Sequence, residues 1–292
     1  MLSKKIVMNS SVNTAKLSVC KDPKCCQATA DKVASAPKDN TLCSRFELKY
    51  RIREDKARAI AQYIKSYMGP DKYSAACPDM QYYISSLYLD SDRLDLCRET
   101  IEKKTNRFKL RIRCYDDNPE SPCFVEIKRR LNSVIHKGRV RIAKSDINNV
   151  LGCCRMTMDG ASPKDKAIMD QFQYYVSTLH ARPIVLVRYK RQAFEDTSHN
   201  RVRITFDRKL AYKATNKPEL CVQGNGWREV PMDFVVLEIK FTEKYPVWLN
   251  DMAKIFDLKQ TSMSKYVSTV RQSHALGFCA PVSRTPLKNI QI

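Results

Sequence analysis

Residues 107–115 run RFKLRIRCY, so that Lys109, Arg111 and Arg113 alternate with Phe108, Leu110 and Ile112. Alternation of period two marks a β-strand with one apolar and one polar face, and here the polar face is wholly cationic. Side chains at i and i+2 on one face lie about 7 Å apart. Two like charges at that separation repel by roughly 2 kcal/mol at an effective dielectric of about 20. On one strand this is explained by a solvated edge that lysine and arginine keep from pairing. The device recurs, however. Arg45, Glu47, Lys49 and Arg51 share a face in 45–53, as do Glu126, Lys128 and Arg130 in 123–130 and Lys137, Arg139 and Arg141 in 137–143. Arg201, Arg203, Thr205 and Asp207 do so in 201–209, and Glu238 and Lys240 in 234–242. The opposite faces carry Phe46, Leu48, Phe124, Ile127, Val140, Ile142, Val202, Ile204, Leu237 and Ile239. A solvated edge does not account for six such strands.

Two further strands are expected at 81–89 and 184–194, with helices at 54–68, 163–180, 246–257 and 263–276. The polar turn Asp116–Pro122 should make a hairpin of the strands at 107–115 and 123–130. Two architectures satisfy this pattern: an open sheet with helices on its apolar face, or a closed barrel with its charged faces inward. Eight strands close around a space just wide enough for side chains or one ligand. An empty cationic interior would be costly, and a polyanion inside would offset that cost.

The whole chain points the same way. It has 292 residues and a net charge of +21 from 52 basic and 31 acidic residues, which implies an anionic partner: nucleic acid, an anionic membrane or a phosphate-rich ligand. Residues 1–42 are polar and aperiodic and are expected to form a disordered basic arm; residues 43–279 form the structured domain and 280–292 a tail. The twelve cysteines show no zinc spacing and no CxxC, and Cys25–Cys26 and Cys153–Cys154 are adjacent pairs. Reduced thiols in a cytoplasmic protein are expected. The N-terminus has no secretory apolar region, and no apolar run reaches the roughly 18 residues of a membrane span. His136, His180, His199 and His274 stand in no catalytic triad or metal spacing.

Three strands repeat Glu-x-Lys: Glu47 with Lys49, Glu126 with Lys128, and Glu238 with Lys240. Each places an acid and a base on one face. The arrangement serves either as cross-strand ion pairing or as oxygen ligation of Mg²⁺ or Mn²⁺, which bind through one or two carboxylates together with substrate phosphates.

In order, the segments RFELKY, SSLYLDS, RFKLRIRCYDD, FVEIKRR, HKGRVRI, VRYKRQAF, RVRITFD, VVLEIKF and SMSKY are similar to the VTC domain, the catalytic domain of vacuolar transporter chaperone polyphosphate polymerases. The chain resembles bacterial VTC-domain proteins, of the triphosphate tunnel metalloenzyme (CYTH-like) superfamily. The similarity spans roughly residues 44–274. It implies an α+β fold: an eight-stranded antiparallel β-barrel tunnel with a charged interior and helices packed outside. It also implies transfer of the ATP γ-phosphoryl group to inorganic polyphosphate with Mn²⁺ or Mg²⁺. Carried over motif by motif, Lys265, Arg111, Arg113 and Lys128 would be catalytic. Lys49, Arg98, Lys109, Lys137, Arg139, Tyr189, Arg191, Arg203, Lys240 and Ser264 would bind phosphate. Glu238, Glu126 and Glu47 would hold the metal. Parity along VRYKRQAF puts Tyr189 and Arg191 on one face and Arg188 and Lys190 on the other.

There are departures. The first strand carries Arg45 where many tunnel enzymes have a first glutamate, which argues against the triphosphatase and cyclase branch. Cys97 stands where relatives often have tyrosine. The eukaryotic system adds a phospholipid-regulatory domain and membrane helices, so a membrane protein receiving the polymer would be encoded elsewhere. The same cradle serves either acceptor, polyphosphate or water. Polymerase and metal-dependent triphosphatase readings therefore both stand, beside that of a non-catalytic polyphosphate-binding module. Specific nucleic-acid binding is not expected, since Tyr82, Tyr83 and Tyr88 suit strand packing better than base stacking.

Overall fold

The computed structural model describes residues 45–132, 134–152, 156–196, 202–242 and 245–275. The expected arm at 1–42, the tail at 280–292, Cys25, Cys26, Cys153, Cys154, His199 and Arg201 lie outside the described residues. Eight long strands form one antiparallel sheet: β1 (Arg45–Ile52), β3 (Tyr82–Asp90), β4 (Asn106–Cys114), β5 (Cys123–Leu131), β6 (Val134–Ile142), β7 (Arg182–Glu195), β8 (Arg203–Ala214) and β10 (Val235–Thr242). Their order is β1-β10-β8-β7-β3-β4-β5-β6; the two-residue strands β2 (Gly69–Pro70) and β9 (Arg228–Glu229) pair with β7 and β8.

The register fixes which charges meet. Arg111 lies opposite Tyr88 on one side and Glu126 on the other. Glu126 then faces Arg139, and Lys128 faces Lys137. Lys49 faces Glu238, which in turn faces Thr205. Among the described residues the edge strands β1 and β6 share no ladder, so the expected closure by hydrogen bonding is not observed. Side chains span the interior instead: the Lys128 ammonium on β5 donates to both Glu47 oxygens on β1, at 3.0 and 2.9 Å.

Two apolar layers cover the outside. Leu110, Ile112, Val125, Ile127 and Val140 pack on Met169, Phe172 and Val176 of α5 (Pro163–Thr178). Close approach there needs Gly138, where a Cβ would come within 3.0 Å of Ile168. On the other side Ile52, Ile204, Phe206, Leu237 and Ile239 pack on α1 (Glu54–Ile64) and α6 (Val247–Ile255). The buried positions Ala57, Ile60, Ala61 and Ile64 of α1 follow the i, i+3, i+4, i+7 spacing that puts them on one stripe.

A third layer departs from the expectation that helices pack outside. Ile84, Tyr88, Val185, Val187 and Tyr189 have the inward parity, yet they pack on Tyr266, Val267 and Val270 of α7 (Lys265–Ala275) and on Leu94 and Cys97 of α3 (Asp95–Ile101). The inward face is therefore half apolar, and α7 covers that half. Phe124 is likewise inward, not outward, because it alternates in step with Glu126 and Lys128; the Arg139 guanidinium lies 3.7 Å from its ring centroid.

Helix α3, together with α2 (Lys72–Ala75) and α4 (Ile147–Leu151), was not expected. These helices are too short to show periodicity, and α2 and α3 are held by single aspartates. Asp71 caps α2 through the Ser74 amide at 2.8 Å. Asp90, buried at the end of β3, accepts the amides of Ser91, Leu96 and Cys97 at 2.8, 2.9 and 2.9 Å and the Tyr266 hydroxyl at 2.6 Å. One carboxylate thus ties β3, α3 and α7 together. Asp90→Ala leaves those donors buried without their acceptor and should destabilise the protein by about 2–4 kcal/mol. The urea midpoint reads this, and an unchanged midpoint would mean that Asp90 does not hold the three elements together.

Candidate functional site: a cation-lined cavity

The inward faces enclose a cavity of about 400 Å³ lined by eleven basic side chains and by the carboxylates Glu47, Glu195 and Glu238. A second cavity of about 900 Å³ adjoins it, sharing Glu47, Lys49, Lys109, Lys128, Ile135, Met263 and Ser264. Two buried carboxylates organise the cations. Glu126 is fully buried and pairs with Arg111 at 2.6 Å, Lys137 at 2.7 Å and Arg139 at 3.5 Å. Burial alone would raise its carboxyl pKa, but Arg111, Arg113 and Lys137 hold it well below the usual range. Glu238 sits among Lys240 at 2.9 Å, Lys49 at 3.3 Å, Lys265 at 3.5 Å and Arg191 at 3.8 Å. It too is held low against the effect of burial.

Other cations in the row have no carboxylate in direct contact. The Lys109 ammonium donates to Ser264 Oγ at 2.8 Å. Arg113 is buried, with Nε on Ser86 Oγ at 3.1 Å and a terminal nitrogen 3.4 Å from the Tyr189 hydroxyl. Among the described residues neither has a carboxylate within ion-pair distance. Burial, then Lys49 and Lys128, push the Lys109 pKa well below that of an ordinary lysine. Burial lowers Lys128 to about 8 and Lys137 to about 7; Arg113 and Arg111 add to the effect on Lys137, and Glu126 only partly offsets it.

Lys265 opens α7 and reaches inside, with Nζ 2.5 Å from Asp207 Oδ2 and 4.7 Å from the Tyr189 ring centroid. Asp207 also takes a two-pronged contact from Arg191 at 2.7 and 2.8 Å. Asp207 and Glu238 hold Lys265 charged in spite of its burial. It is anchored in the interior.

Most of the sequence-predicted residues come together. Lys49, Lys109, Arg111, Arg113, Lys128, Lys137, Arg139, Tyr189, Arg191, Arg203, Lys240, Ser264, Lys265, Glu47 and Glu238 all line the first cavity. Arg203 does so already paired with Asp71 at 2.6 Å and Glu195 at 2.7 Å. Two residues do not fit their expected roles. Arg98 lies on α3 beyond the buried Leu96 and Cys97, and its guanidinium bonds the Arg93 carbonyl at 3.0 Å. Glu126 lies under three cations and does not converge with the other glutamates. Of the neighbours, Arg188 bonds the Val222 carbonyl and stacks on Trp227, and Lys190 pairs with Asp79. Sequence reasoning passed over Asp207 as a site residue, although its parity with Arg203 marked it. It also passed over Tyr73, which carries no periodic signal, and Tyr115, although its parity with Arg111 and Arg113 marked it.

Among the described residues no three His, Cys, Asp or Glu side chains cluster as a metal cage. Glu47 and Glu238 nevertheless converge on one ammonium, that of Lys49, at 3.1 and 3.3 Å. Two carboxylates aimed at one cation match the donor set Mg²⁺ and Mn²⁺ use when phosphates and water supply the rest.

An antiparallel sheet wrapped around buried cations defines a cation-lined β-tunnel protein. The VTC domain family matches residues 44–274, and the chain belongs to that family. It is similar to vacuolar transporter chaperone complex subunit 4 of Schizosaccharomyces pombe (strain 972 / ATCC 24843), with 26% identity covering 58% of this chain and 28% of the relative. The chain thus matches little more than a quarter of that protein's length. Among solved structures, one described as an adenylate cyclase of Bacillus halodurans is 12% identical, covering 76% of this chain and 95% of its own, with a TM-score of 0.41. One described as a Hippeastrum adenylyl cyclase with a dominant triphosphatase activity is 12% identical, covering 83% and 100%, with a TM-score of 0.40.

The lowered Lys137 pKa has a measurable consequence. Lys137 faces Glu126, Arg111, Arg113 and Arg139. Between pH 7 and 10.5 the folded state binds fewer protons at Lys137 than the unfolded state does. By linkage this group makes the ligand-free protein more stable as pH rises through that window. Urea midpoints at pH 7 and pH 9 should therefore differ more in the wild type than in Lys137→Met. Identical differences would mean that Lys137 has an ordinary affinity for protons.

Proposed function

We propose that the protein is a polyphosphate polymerase. A terminal oxygen of inorganic polyphosphate attacks the γ-phosphorus of ATP, the bond from that phosphorus to the β–γ bridging oxygen breaks, and ADP leaves with the electron pair. The observation that carries this reading is the pair Lys109, partly buried, and Arg113, buried, cations with no ion-pair partner among the described residues, beside an Arg111 fixed by Glu126 and Tyr88. Phosphoryl transfer asks the protein mainly for position and for charge stabilisation, and fixed, undercompensated cations provide both. Lys49, Lys128 and Lys240 extend the cradle along the polymer. Mn²⁺ or Mg²⁺ held by Glu238 and Glu47 would neutralise charge on non-bridging phosphate oxygens. Lys265, locked by Asp207 and Glu238, presents a positive charge where the transferring group would lie.

The partners under this reading are ATP and inorganic polyphosphate, in the cytoplasm. No helix of the described residues is long and apolar enough to cross a membrane.

Product analysis with ATP and Mn²⁺ or Mg²⁺ should yield long-chain polyphosphate and ADP. Release of orthophosphate alone would make water the acceptor and the protein a triphosphatase, and binding without turnover would leave a polyphosphate-binding module. Within the polymerase reading, Lys265→Ala should lower kcat at least tenfold, about 1.4 kcal/mol, with triphosphate affinity changed much less. Arg111→Ala should impair both. A raised KM at unchanged kcat in Lys265→Ala would mean that Lys265 contributes only uniform binding.

A further inference from the structure

The two ends of the tunnel differ in kind. Around the second cavity Arg51, Lys103, Arg107, Arg130 and Arg271 join Lys49, Lys109 and Lys128, and Glu47 is the one acidic side chain among the lining residues. At the Arg203 end of the first cavity Arg203 is neutralised by Asp71 and Glu195, and aromatic rings gather beside it. Tyr73 of α2 stacks on Tyr115, with centroids 5.2 Å apart and planes within 5°. Tyr82 lies 5.4 Å from Tyr73, and its hydroxyl donates to Asp71 at 3.0 Å. Arg139 couples this group to the phosphate cradle, donating to the Tyr115 hydroxyl at 3.1 Å while it also contacts Glu126 and lies over the Phe124 ring.

Phosphate oxygens have no use for aromatic rings. Tyr73, the outer member of the stack, is 37% exposed, with the Lys72 ammonium 5.0 Å from its ring centroid, and its ring offers a flat face to a planar ligand. Fixed carboxylates beside it disfavour a polyanion and suit hydroxyl and amino donors. A nucleoside triphosphate has these two characters in one molecule: a planar base and a ribose at one end, a polyanion at the other.

We propose that the Tyr73–Tyr115 platform is a nucleobase-binding subsite. It takes the base of a nucleoside triphosphate whose phosphates lie on Arg111 and Arg113, and the tunnel is thereby oriented, with the basic second cavity left to the polymer. The proposal rests on the polymerase reading, in which a nucleoside triphosphate is the donor. Stacking of a base on an aromatic side chain is sequence-tolerant, so the subsite should accept purine nucleotides with little discrimination between adenine and guanine.

The test compares ATP with inorganic triphosphate by calorimetry on the full chain. Tyr73→Ala should weaken ATP roughly five- to tenfold and leave inorganic triphosphate unchanged, which also shows that the cradle is still folded. Tyr73→Trp should retain ATP affinity. Equal weakening of both ligands, no weakening of either, or no ATP binding by the wild type would overturn the subsite. So would an ATP-selective loss found in Phe46→Ala, at the other exposed ring of the cavity, and not in Tyr73→Ala. Because the readout is binding, it separates from the polymerase reading: ATP selectivity that depends on Tyr73 in a protein making no polyphosphate would keep the subsite and discard the polymerase.

Discussion

Positive charge inside this protein exceeds what its buried carboxylates neutralise, and the rest of the architecture follows from managing that excess. Isolated buried ions are not tolerated. The chain meets this with two glutamates on strands that lie apart in the sheet, each shared among several cations: Glu126 on β5 and Glu238 on β10. Sharing holds the basic side chains in fixed positions while leaving the cluster net positive. A one-to-one set of ion pairs would give the same rigidity and no attraction for an anion. The repulsion along RFKLRIRCY is thus relieved at Arg111 by Glu126 and left standing at Lys109 and Arg113.

The same inward face has to be partly dry, because a helix must be seated against it. Ile84, Tyr88, Val185, Val187 and Tyr189 supply the apolar half, and Tyr266, Val267 and Val270 of α7 cover it. Asp90 fixes the position of that helix by accepting the Tyr266 hydroxyl. Lys265 at the first turn is then carried into the charged half. A cation at a helix N-terminus is disfavoured by the helix dipole, and the contact with Asp207 at 2.5 Å offsets this. Packing at one end of α7 and electrostatics at the other therefore position one ammonium.

The strands and the sign of their inner face were legible because period two is a local signal that each strand repeats. Parity put Lys49, Lys109, Arg111, Arg113, Lys128, Lys137, Arg139, Arg203 and Lys240 on the charged faces, whereas Arg191 and Lys265 came from the family resemblance. Three things were not legible, each for a physical reason. Hydrophobicity does not tell a ring under an inward guanidinium from an outer core side chain, so Phe124 was assigned to the wrong face against its parity with Glu126 and Lys128. Helices of four to seven residues have no period to read, which hid α2, α3 and with them Tyr73. A glutamate's role depends on what surrounds it in three dimensions. Glu47, Glu126 and Glu238 share one tripeptide pattern, yet the first and last converge on Lys49 while Glu126 lies buried beneath Arg111, Lys137 and Arg139.

An empty cavity of this charge still has to belong to a folded protein, and the lysines make that possible where arginines would not. Arg111 and Arg113 stay protonated under all ordinary conditions, so their repulsion is permanent and is met by geometry: Glu126 and Tyr88 for one, Ser86 and Tyr189 for the other. Lysine shifts its pKa readily when buried, and Lys109 and Lys137 are pushed down by burial and by their cationic neighbours. Part of the excess charge can therefore leave as protons when no anion is present and return when one arrives. Under the proposed function, binding a polyanion would take up protons and the affinity of the cradle would fall as pH rises, while the arginines keep its shape. The mixture of lysine and arginine along one strand is in this sense a division of labour: arginine fixes the cradle and lysine adjusts its charge.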